Sequence, residues 1–435
     1  MTRAARAGRR FLFLQGMATR FFERLGKALA THGHAVHRVN FNGGDRAFWR
    51  LPGAVDFCGR PEEWPEFFGR LVDEKAITDL ILFGDCRPLH RAAIRVAKLR
   101  QVRIYVVEEG YLRPDWITFE EDGVNGHSAL PQDPAYYREQ ARALPPWCDP
   151  PAVPGSFRRR AIEDVLYTTG SIAGRWRFPH YATHRPYHQL IEYAGWIRRL
   201  ALKRRAERQA ALAIDALAEE AGPLFLFPLQ LDCDYQVRVH SPFRAMHLAI
   251  EHVLTSFSEH APAAARLIVK LHPFDSGLID WAAITRHVAV DLGIADRLVI
   301  LDGGDLGKLL ALKPAVVTVN STVGALALAC GLPVIVLGKA VYDIAGLTFQ
   351  GKLDEFWEAH TPPDMVLFDD FRRVLASRCL LPGSFFNEAG LGLAVDAAID
   401  RLEAANAKSA RGDIASPSAK PVGARTSVAA ASSVR

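Results

Sequence analysis

Residues 316–338 read VVTVNSTVGALALACGLPVIVLG. The β-branched run Val316 to Val319 stops at Asn320. Ser321, Thr322 and Gly324 then open a helix of small residues, Ala325 to Cys330. Gly331 ends that helix, and Pro333 leads into a second apolar strand, Val334 to Leu337. Strand, tight turn, helix, strand is the repeating unit of a parallel α/β sheet. At the turn, two hydroxyls and several free backbone N–H groups sit at a helix N-terminus, where the partial positive charge suits a phosphate. Ser321 fits a plain helix cap equally well.

Upstream the same unit repeats. LFLFPLQ (224–230) is a buried strand, and LDCDYQVRVHSPF (231–243) follows it, so Gln230, Asp232, Asp234, Arg238, His240 and Ser241 emerge from one strand end. Two carboxylates two residues apart share a face of an extended segment, and opposite charges nearby set their pKa values apart. The spacing suits a nucleophile or base and also a divalent cation. With no third acidic residue at ligand spacing, catalysis is the preferred reading and no metal is expected. Leu267 to Leu271 is the next strand. Its Lys270 and the terminating His272-Pro273 are expected to face the Ser321-Thr322 helix start and form an anion pocket. Leu298 to Leu301, followed by Asp302-Gly303-Gly304, and the helix Leu306 to Leu312 complete a nucleotide-binding half. GxGxxG and P-loop lysine patterns are missing from it, which points away from a dinucleotide and from ATP hydrolysis.

The first half alternates in the same way. Phe11 to Leu14 is a strand ending at Gln15-Gly16, Thr19 to Thr31 carries a helical apolar stripe, and Ala35 to Phe41 is a strand that runs into an Asn/Gly/Asp loop. Leu80 to Phe83 leads to Gly84-Asp85-Cys86-Arg87, and Arg103 to Val107 leads to Glu108-Glu109-Gly110-Tyr111-Leu112-Arg113-Pro114. Three strand ends thus carry Asp45, Asp85 with Arg87, and Glu109 with Arg113. Charges gathered on one sheet edge are costly unless paired or used, and open α/β sheets bind ligands at that edge. Glu109 is the acid–base candidate, with an Asp/Glu-to-Arg network as the structural alternative.

A chain of 435 residues is too long for one core. The expected organisation is an α/β domain over 1–150, a helical, basic and aromatic connector over 151–220, a second α/β domain over 221–405 and a disordered Ala/Ser/Pro-rich tail over 406–435. The six cysteines are scattered without a CxxC pair, which argues against a zinc site and for a reducing, cytoplasmic setting. The formal charge of +5 is uneven: Arg158 to Arg160, Arg175, Arg177, Arg185, Arg198, Arg199, Lys203 to Arg205 and Arg208 crowd the connector among Trp176, Phe178, Tyr181, Tyr187, Tyr193 and Trp196. Such a face suits an anionic lipid surface or nucleic acid, or is a solvated helix face. The acid-rich strand ends disfavour nucleic acid. No apolar run reaches the roughly 18 residues needed to cross a bilayer, and the N-terminal basic residues precede a strand rather than a signal peptide.

Several segments, in order, carry a family resemblance: FLFLQG with FFERLGKAL, HRVNFNGGD, EEGYLRPD, PLQLDCDYQVRVHSPF, KLHP and NSTVG. Together they resemble the capsule polysaccharide biosynthesis and export family of the KpsS/LipB type, over about residues 11 to 390. The resemblance implies a GT-B-like fold, two Rossmann-like domains facing a cleft. It implies a cytoplasmic, membrane-associated β-Kdo transferase that uses CMP-Kdo as substrate, needs no cofactor, and starts a Kdo linker on a phosphatidylglycerol-type lipid at the inner face of the inner membrane beside other capsule proteins. It further implies retention through a carboxylate nucleophile. The family motif has a glutamine, an acidic residue two positions on, then two aspartates; Gln230, Asp232 and Asp234 match, and Cys233 departs from it. Asp234 is then the nucleophile, with Asp232 the alternate. Gln230, Lys270, His272, Pro273, Asn320, Ser321, Thr322 and Gly324 form the donor side, and Arg238 meets the Kdo carboxylate. Glu109 takes the acceptor proton, and Asp45, Asp85, Arg87 and Arg113 shape the acceptor side. The rival readings are a non-catalytic export component and a UDP-sugar-dependent transferase or epimerase of the same architecture.

Overall fold

The computed structural model describes residues 8–183 and 189–410. Arg185, Tyr187 and the tail beyond residue 410 lie outside the described residues. Among the described residues twelve strands run in chain order: β1 (Arg10–Phe13), β2 (Ala35–Asn40), β3 (Ala54–Asp56), β4 (Asp79–Phe83), β5 (Arg103–Glu109), β6 (Trp116–Glu121), β7 (Leu224–Pro228), β8 (Arg266–Lys270), β9 (Leu298–Leu301), β10 (Ala315–Thr318), β11 (Val334–Val336) and β12 (Leu380–Pro382). They form two sheets, ordered β12-β6-β5-β4-β1-β2-β3 and β11-β10-β7-β8-β9. The second sheet is parallel throughout. In the first, β1 to β5 are parallel while β6 and β12 join antiparallel at one edge. Central strands such as β4 (DLILF) are buried along their whole length, as sheets covered by helices on both faces require. These are two Rossmann-like units facing a cleft.

Each unit has a point where the strand order reverses, between β1 and β4 in the first and between β7 and β10 in the second. The loops leaving neighbouring strands diverge there and open a crevice at the carboxyl edge, the place where such sheets take ligands. In the second unit those loops are Leu229 to Asp234 and Asn320 to Thr322.

The boundary expected for the second domain differs from the observed one. β12 pairs with β6 of the first sheet, and the helix Glu388–Ala410 packs on the helix Phe21–Thr31 of the first unit. Residues from about 380 onward therefore belong to the first unit, and this last helix runs into the segment expected to be disordered. The physical cause is the apolar stripe Leu391, Ala394, Ala398 and Leu402, which joins the cluster around Phe11, Phe13 and Phe21. The connector divides too. Its helix Phe157–Ala173 docks on the short helix Gly43–Ala47, where a Cβ at Gly43 would strike the Gly170 carbonyl oxygen. The 31-residue helix Gln189–Glu219 lies on the second unit, with Ala210, Ile214 and Leu217 buried and Glu207 accepting from Gly304 N at 2.8 Å. Among the described residues no helix is long and apolar enough to cross a membrane.

One buried ion pair ties the chain ends to the first sheet. Arg9 Nε donates to Asp79 Oδ2 at 2.8 Å, Nη1 to the Leu402 carbonyl at 2.8 Å and Nη2 to Tyr105 Oη at 3.0 Å. Asp79 is fully buried. Asp79 is also paired with Arg103 Nε at 3.0 Å, so Arg9→Ala leaves the buried carboxylate one cation and is expected to lower stability by about 1.5–3 kcal/mol in urea denaturation. A loss below about 1 kcal/mol would show that the tie is dispensable.

Candidate active site in the cleft between the two units

The crevice of the second unit is held by two side-chain amides. Gln230 Nε2 donates to Asn320 Oδ1 at 2.9 Å, and Asn320 N donates to Gln230 Oε1 at 3.2 Å. Asn320 Nδ2 continues to the carbonyls of Gln236 (2.8 Å) and His240 (3.3 Å). Both residues are buried, where an unpaired amide would be costly. This clasp fixes the Leu231 to His240 segment against the β10 turn. Gln230 and Asn320, expected as donor-binding residues, are thus the frame on which that segment stands.

Within the segment, Asp234 caps the short helix Tyr235–Arg238, accepting from Gln236 N at 2.9 Å. Burial pushes its carboxyl up from the ordinary value, with the Glu109 charge adding and Arg113 opposing. Asp232 is held differently. One oxygen accepts from Met246 N at 2.8 Å and the other from Arg238 Nη2 at 3.2 Å, while Arg238 Nε also reaches the Asp232 carbonyl at 2.8 Å. Asp232 therefore braces the loop, and Arg238 is anchored on it.

Opposite stand the two glutamates that end β5, and they are unlike. Glu109 accepts from Arg113 Nη2 and from Arg160 Nη1, each at 2.8 Å. Although burial works against it, these two guanidiniums hold its carboxyl below the usual range. Glu109, the acid–base candidate of the sequence reading, is thus a fixed carboxylate in the Arg network that was its structural alternative. Its neighbour Glu108 bonds to Asn125 Nδ2, and its carboxyl is pushed up to about 8, first by burial and then by the Asp234 charge. Carboxyl groups from different sheets, each pushed up by burial and by the charge of a carboxylate from the other unit, are an arrangement acid–base chemistry uses.

The anion pocket expected from Lys270, His272 and the Ser321 turn is not gathered at one point. β8 and β10 lie on either side of β7, so their ends are about 10 Å apart at ordinary strand spacing. Lys270 Nζ bonds to the carbonyls of Gly303 and Gly304, the latter at 3.1 Å, and secures that loop. His272 accepts from Phe274 N at 3.1 Å through Nδ1; burial, with Arg113 adding, lowers its pKa to about 4, so it is a neutral ring near Glu109 and Arg113. Pro273 carries the turn between them. Ser321 caps the helix Thr322–Ala329, accepting from Val323 N at 3.2 Å, and a Cβ at Gly324 would strike the Tyr342 hydroxyl. The small residues of that turn therefore serve the packing of Tyr342 as well as any ligand.

The acceptor-side set separates in the same way. Asp45 is buried, accepts from Phe41 N (2.9 Å), Arg38 (3.2 Å) and Tyr167 Oη (3.1 Å), and holds a loop. Asp85 joins a cluster with Cys86, His127 and His240. Arg87 Nη1 donates to Gln15 Oε1 at 3.0 Å across the β1/β4 crevice, and Gln15 Nε2 donates to the hydroxyls of Tyr167 (2.8 Å) and Tyr181 (2.9 Å). This polar group floors a cavity of about 670 Å³ bounded by both units. Asp232 and Cys233, next to Asp234, form part of its wall, as does Arg160, the partner of Glu109. The rest is largely apolar and comes from the connector, including Phe157, Val165, Trp196 and Leu200.

Sequence reasoning missed Glu108, Arg160, Tyr167 and Tyr181 as site residues. Glu108 was visible beside Glu109, but alternation along β5 sends the two to opposite faces, and the sequence alone leaves open which face lacks an arginine. On the connector, Arg159 pairs with Glu163 and Glu388, Arg177 with Asp56 and Arg199 with Asp302, so much of the basic run is engaged in ion pairs. Beside exposed Arg198, Lys203 and Arg204 it also leaves large apolar groups in solvent: Ile162, Leu166, Trp176, Ile197 and Leu200 are exposed, Trp176 by 79% and Ile197 by 70%.

Residues 78–386 match the family model described as capsule polysaccharide biosynthesis protein. The chain is 35% identical over 370 residues to the capsule polysaccharide export protein KpsS of Escherichia coli, covering 85% of this chain and 95% of that one. It is 35% identical over 385 residues to the capsule polysaccharide modification protein LipB of Neisseria meningitidis, covering 87% and 91%. Among solved structures, KpsC of Thermosulfurimonas dismutans, a beta Kdo 2,4 transferase, overlaps 74% of this chain and 82% of its own at 17% identity and a TM-score of 0.33. From the family model and the near full-length match to two curated relatives, this chain belongs to the capsule polysaccharide biosynthesis protein family.

Proposed function

We propose that the protein is a retaining glycosyltransferase that moves Kdo from CMP-Kdo to a phosphatidylglycerol-type lipid and so starts the linker of a capsule polysaccharide. The observation that carries this reading is the pairing of Asp234 from the second unit with the β5 glutamates of the first across a cleft. Membership of the capsule family supports the sugar and the lipid.

In the first displacement an Asp234 oxygen attacks the anomeric carbon, the bond to the CMP phosphate oxygen breaks, and CMP leaves with the electron pair. The Ser321-Thr322 helix start offers N–H and O–H donors to the departing phosphate. Arg238, already braced by Asp232, keeps donors free for the Kdo carboxylate. In the second displacement a lipid hydroxyl attacks the glycosyl ester, its proton passes to Glu108, and Asp234 is released; two inversions give retention. The charges are coupled in the required order. Esterification removes the Asp234 charge, the second of the causes that raise the Glu108 pKa after burial, so Glu108 gives its proton to solvent more readily before the second displacement and can then accept the one from the lipid hydroxyl. The apolar cavity wall takes the lipid portion of the acceptor, and the exposed apolar residues of the connector, flanked by Arg198, Lys203 and Arg204, rest on an anionic membrane surface.

Incubation with CMP-Kdo and a lyso-phosphatidylglycerol analogue is expected to give a product heavier by one Kdo, read by mass spectrometry. Asp234→Asn should reduce its rate by at least about 10³-fold without unfolding the protein. No product from folded enzyme, or equal rates in the variant, would overturn the reading, and turnover of a UDP-sugar instead would replace the donor. Glu108→Gln is expected to release about one equivalent of CMP per chain and then stall with a mass increment on the protein. For the wild type, the base form of Glu108 is required, so the transfer rate should rise with pH and level off at or below about pH 8. A rate independent of pH between 6 and 9 would remove Glu108 from the mechanism. Finally, Trp176→Glu with Ile197→Glu should weaken sedimentation with phosphatidylglycerol vesicles about 10-fold or more while leaving transfer to a soluble acceptor unchanged. Unchanged sedimentation would move the membrane contact elsewhere.

A further inference from the structure

The strand ends of the two units meet at a second point besides the carboxylates. Asp85 and Cys86 follow β4, and Gly84, at φ +65, makes the turn that points them into the cleft. His127 follows β6, and His240 belongs to the second unit, at the end of the segment clasped by Asn320. Cys86 Sγ lies 3.2 Å from Asp85 Oδ1 and 3.3 Å from His240 Nε2, and His127 Nδ1 lies 3.0 Å from Asp85 Oδ2. One donor atom from each of the four residues falls within 4.8 Å of every other.

We propose that Asp85, Cys86, His127 and His240 bind one zinc ion that fastens the second unit to the first. Tetrahedral zinc with bonds of about 2.0–2.3 Å sets its donors roughly 3.3–3.8 Å apart, so the closest pairs need adjustments of well under an ångström and a pair at the 4.8 Å limit would close by about an ångström, a side-chain rotation. Carboxylate, thiolate and two imidazoles are a zinc donor set, and four protein ligands make a closed, structural site rather than one with a vacant position for catalysis. On binding, the Cys86 thiol releases its proton to solvent and the sulfur gives a lone pair to the metal. Three of the four residues are buried and His127 is half-exposed, which gives the ion a way in. The protein holds the ligands from behind: Val124 N donates to Asp85 Oδ2 at 3.2 Å, Lys339 N donates to the His240 carbonyl at 2.8 Å, and a Cβ at Gly126 would strike the His240 ring. The ion would hold the segment that carries Asp234 in register with β4 and β5. The site is independent of the donor sugar, since its test reads the metal.

Full-length protein freed of metal by a chelator and titrated with cobalt(II) alone should bind about one equivalent, with intense visible bands of tetrahedral cobalt and a thiolate-to-cobalt charge-transfer band in the near ultraviolet. Cys86→Ser should lose the charge-transfer band. His127→Ala, altered at a half-exposed position and therefore expected to fold, should bind at least about 10-fold more weakly. Zinc should raise the melting temperature of the wild type and not of His127→Ala. No cobalt bound by folded wild type, a spectrum lacking the thiolate band, or variants that titrate like the wild type would each overturn the proposal.

Discussion

The mutual hydrogen bonds of Gln230 and Asn320 are the constraint on which the site depends. Two buried amides offer several donors and acceptors, and inside a sheet edge each must be answered or its desolvation is lost outright. They answer one another at the point where the strand order of the second sheet reverses, and the spare Asn320 N–H groups reach the carbonyls of Gln236 and His240. A segment that would otherwise be an irregular loop is thereby held at both ends. Asp234, between them, caps its own short helix and is presented to the opposite unit as a carboxylate with little solvent around it. The order of causes runs from amide pairing to loop register to the placement of one carboxylate.

The charges at the sheet edges divide by whether a partner of opposite sign is within reach. Asp79 with Arg9, Asp45 with Arg38, and Glu109 with Arg113 and Arg160 are satisfied, and the pairs Asp79–Arg9 and Glu109–Arg160 tie elements distant in the chain. Glu108 has an amide and other acids for neighbours instead, so it keeps its proton through neutral pH. The contrast between adjacent glutamates is the difference between a carboxylate paired with two guanidiniums and a carboxyl group with no cation beside it among the described residues. The cost of leaving Glu108 unpaired is met by the rigid sheet beneath it, whose β4 and β5 are buried almost throughout.

The connector shows how packing divides a basic, aromatic run. Its arginines were conspicuous in the sequence as an anionic-surface patch, yet several close ion pairs with acids from both units. Arg160 lies over the rings of Phe274 and Phe386 while holding Glu109. The exposed Ile, Leu and Trp side chains are the less ordinary feature, because single polar faces of helices are common and a run of large apolar groups in water is not. Composition marked the segment as unusual; packing decided which residues remain on its surface.

The amino-acid sequence by itself determined the architecture. Alternating β-branched runs and amphipathic stripes with Gly and Pro between them admit little besides parallel α/β units, and polar residues at the strand ends mark the binding edge because a parallel sheet gathers all those ends on one side. Local periodicity also placed the Gln230 to Asp234 segment and the Ser321 turn, since both lie within a few residues of a strand end. Only the tertiary structure decided which of the polar groups meet. It turned Lys270 to the Gly303 and Gly304 carbonyls, separated Glu108 from Glu109 across the pleat, returned β12 and the last helix to the first unit, and brought Asp85 and Cys86 to His127 and His240. Each of these outcomes depends on side chains far apart in the chain and on the pairing of two sheets. Periodicity fixes the face a residue occupies and carries no information about what stands opposite that face.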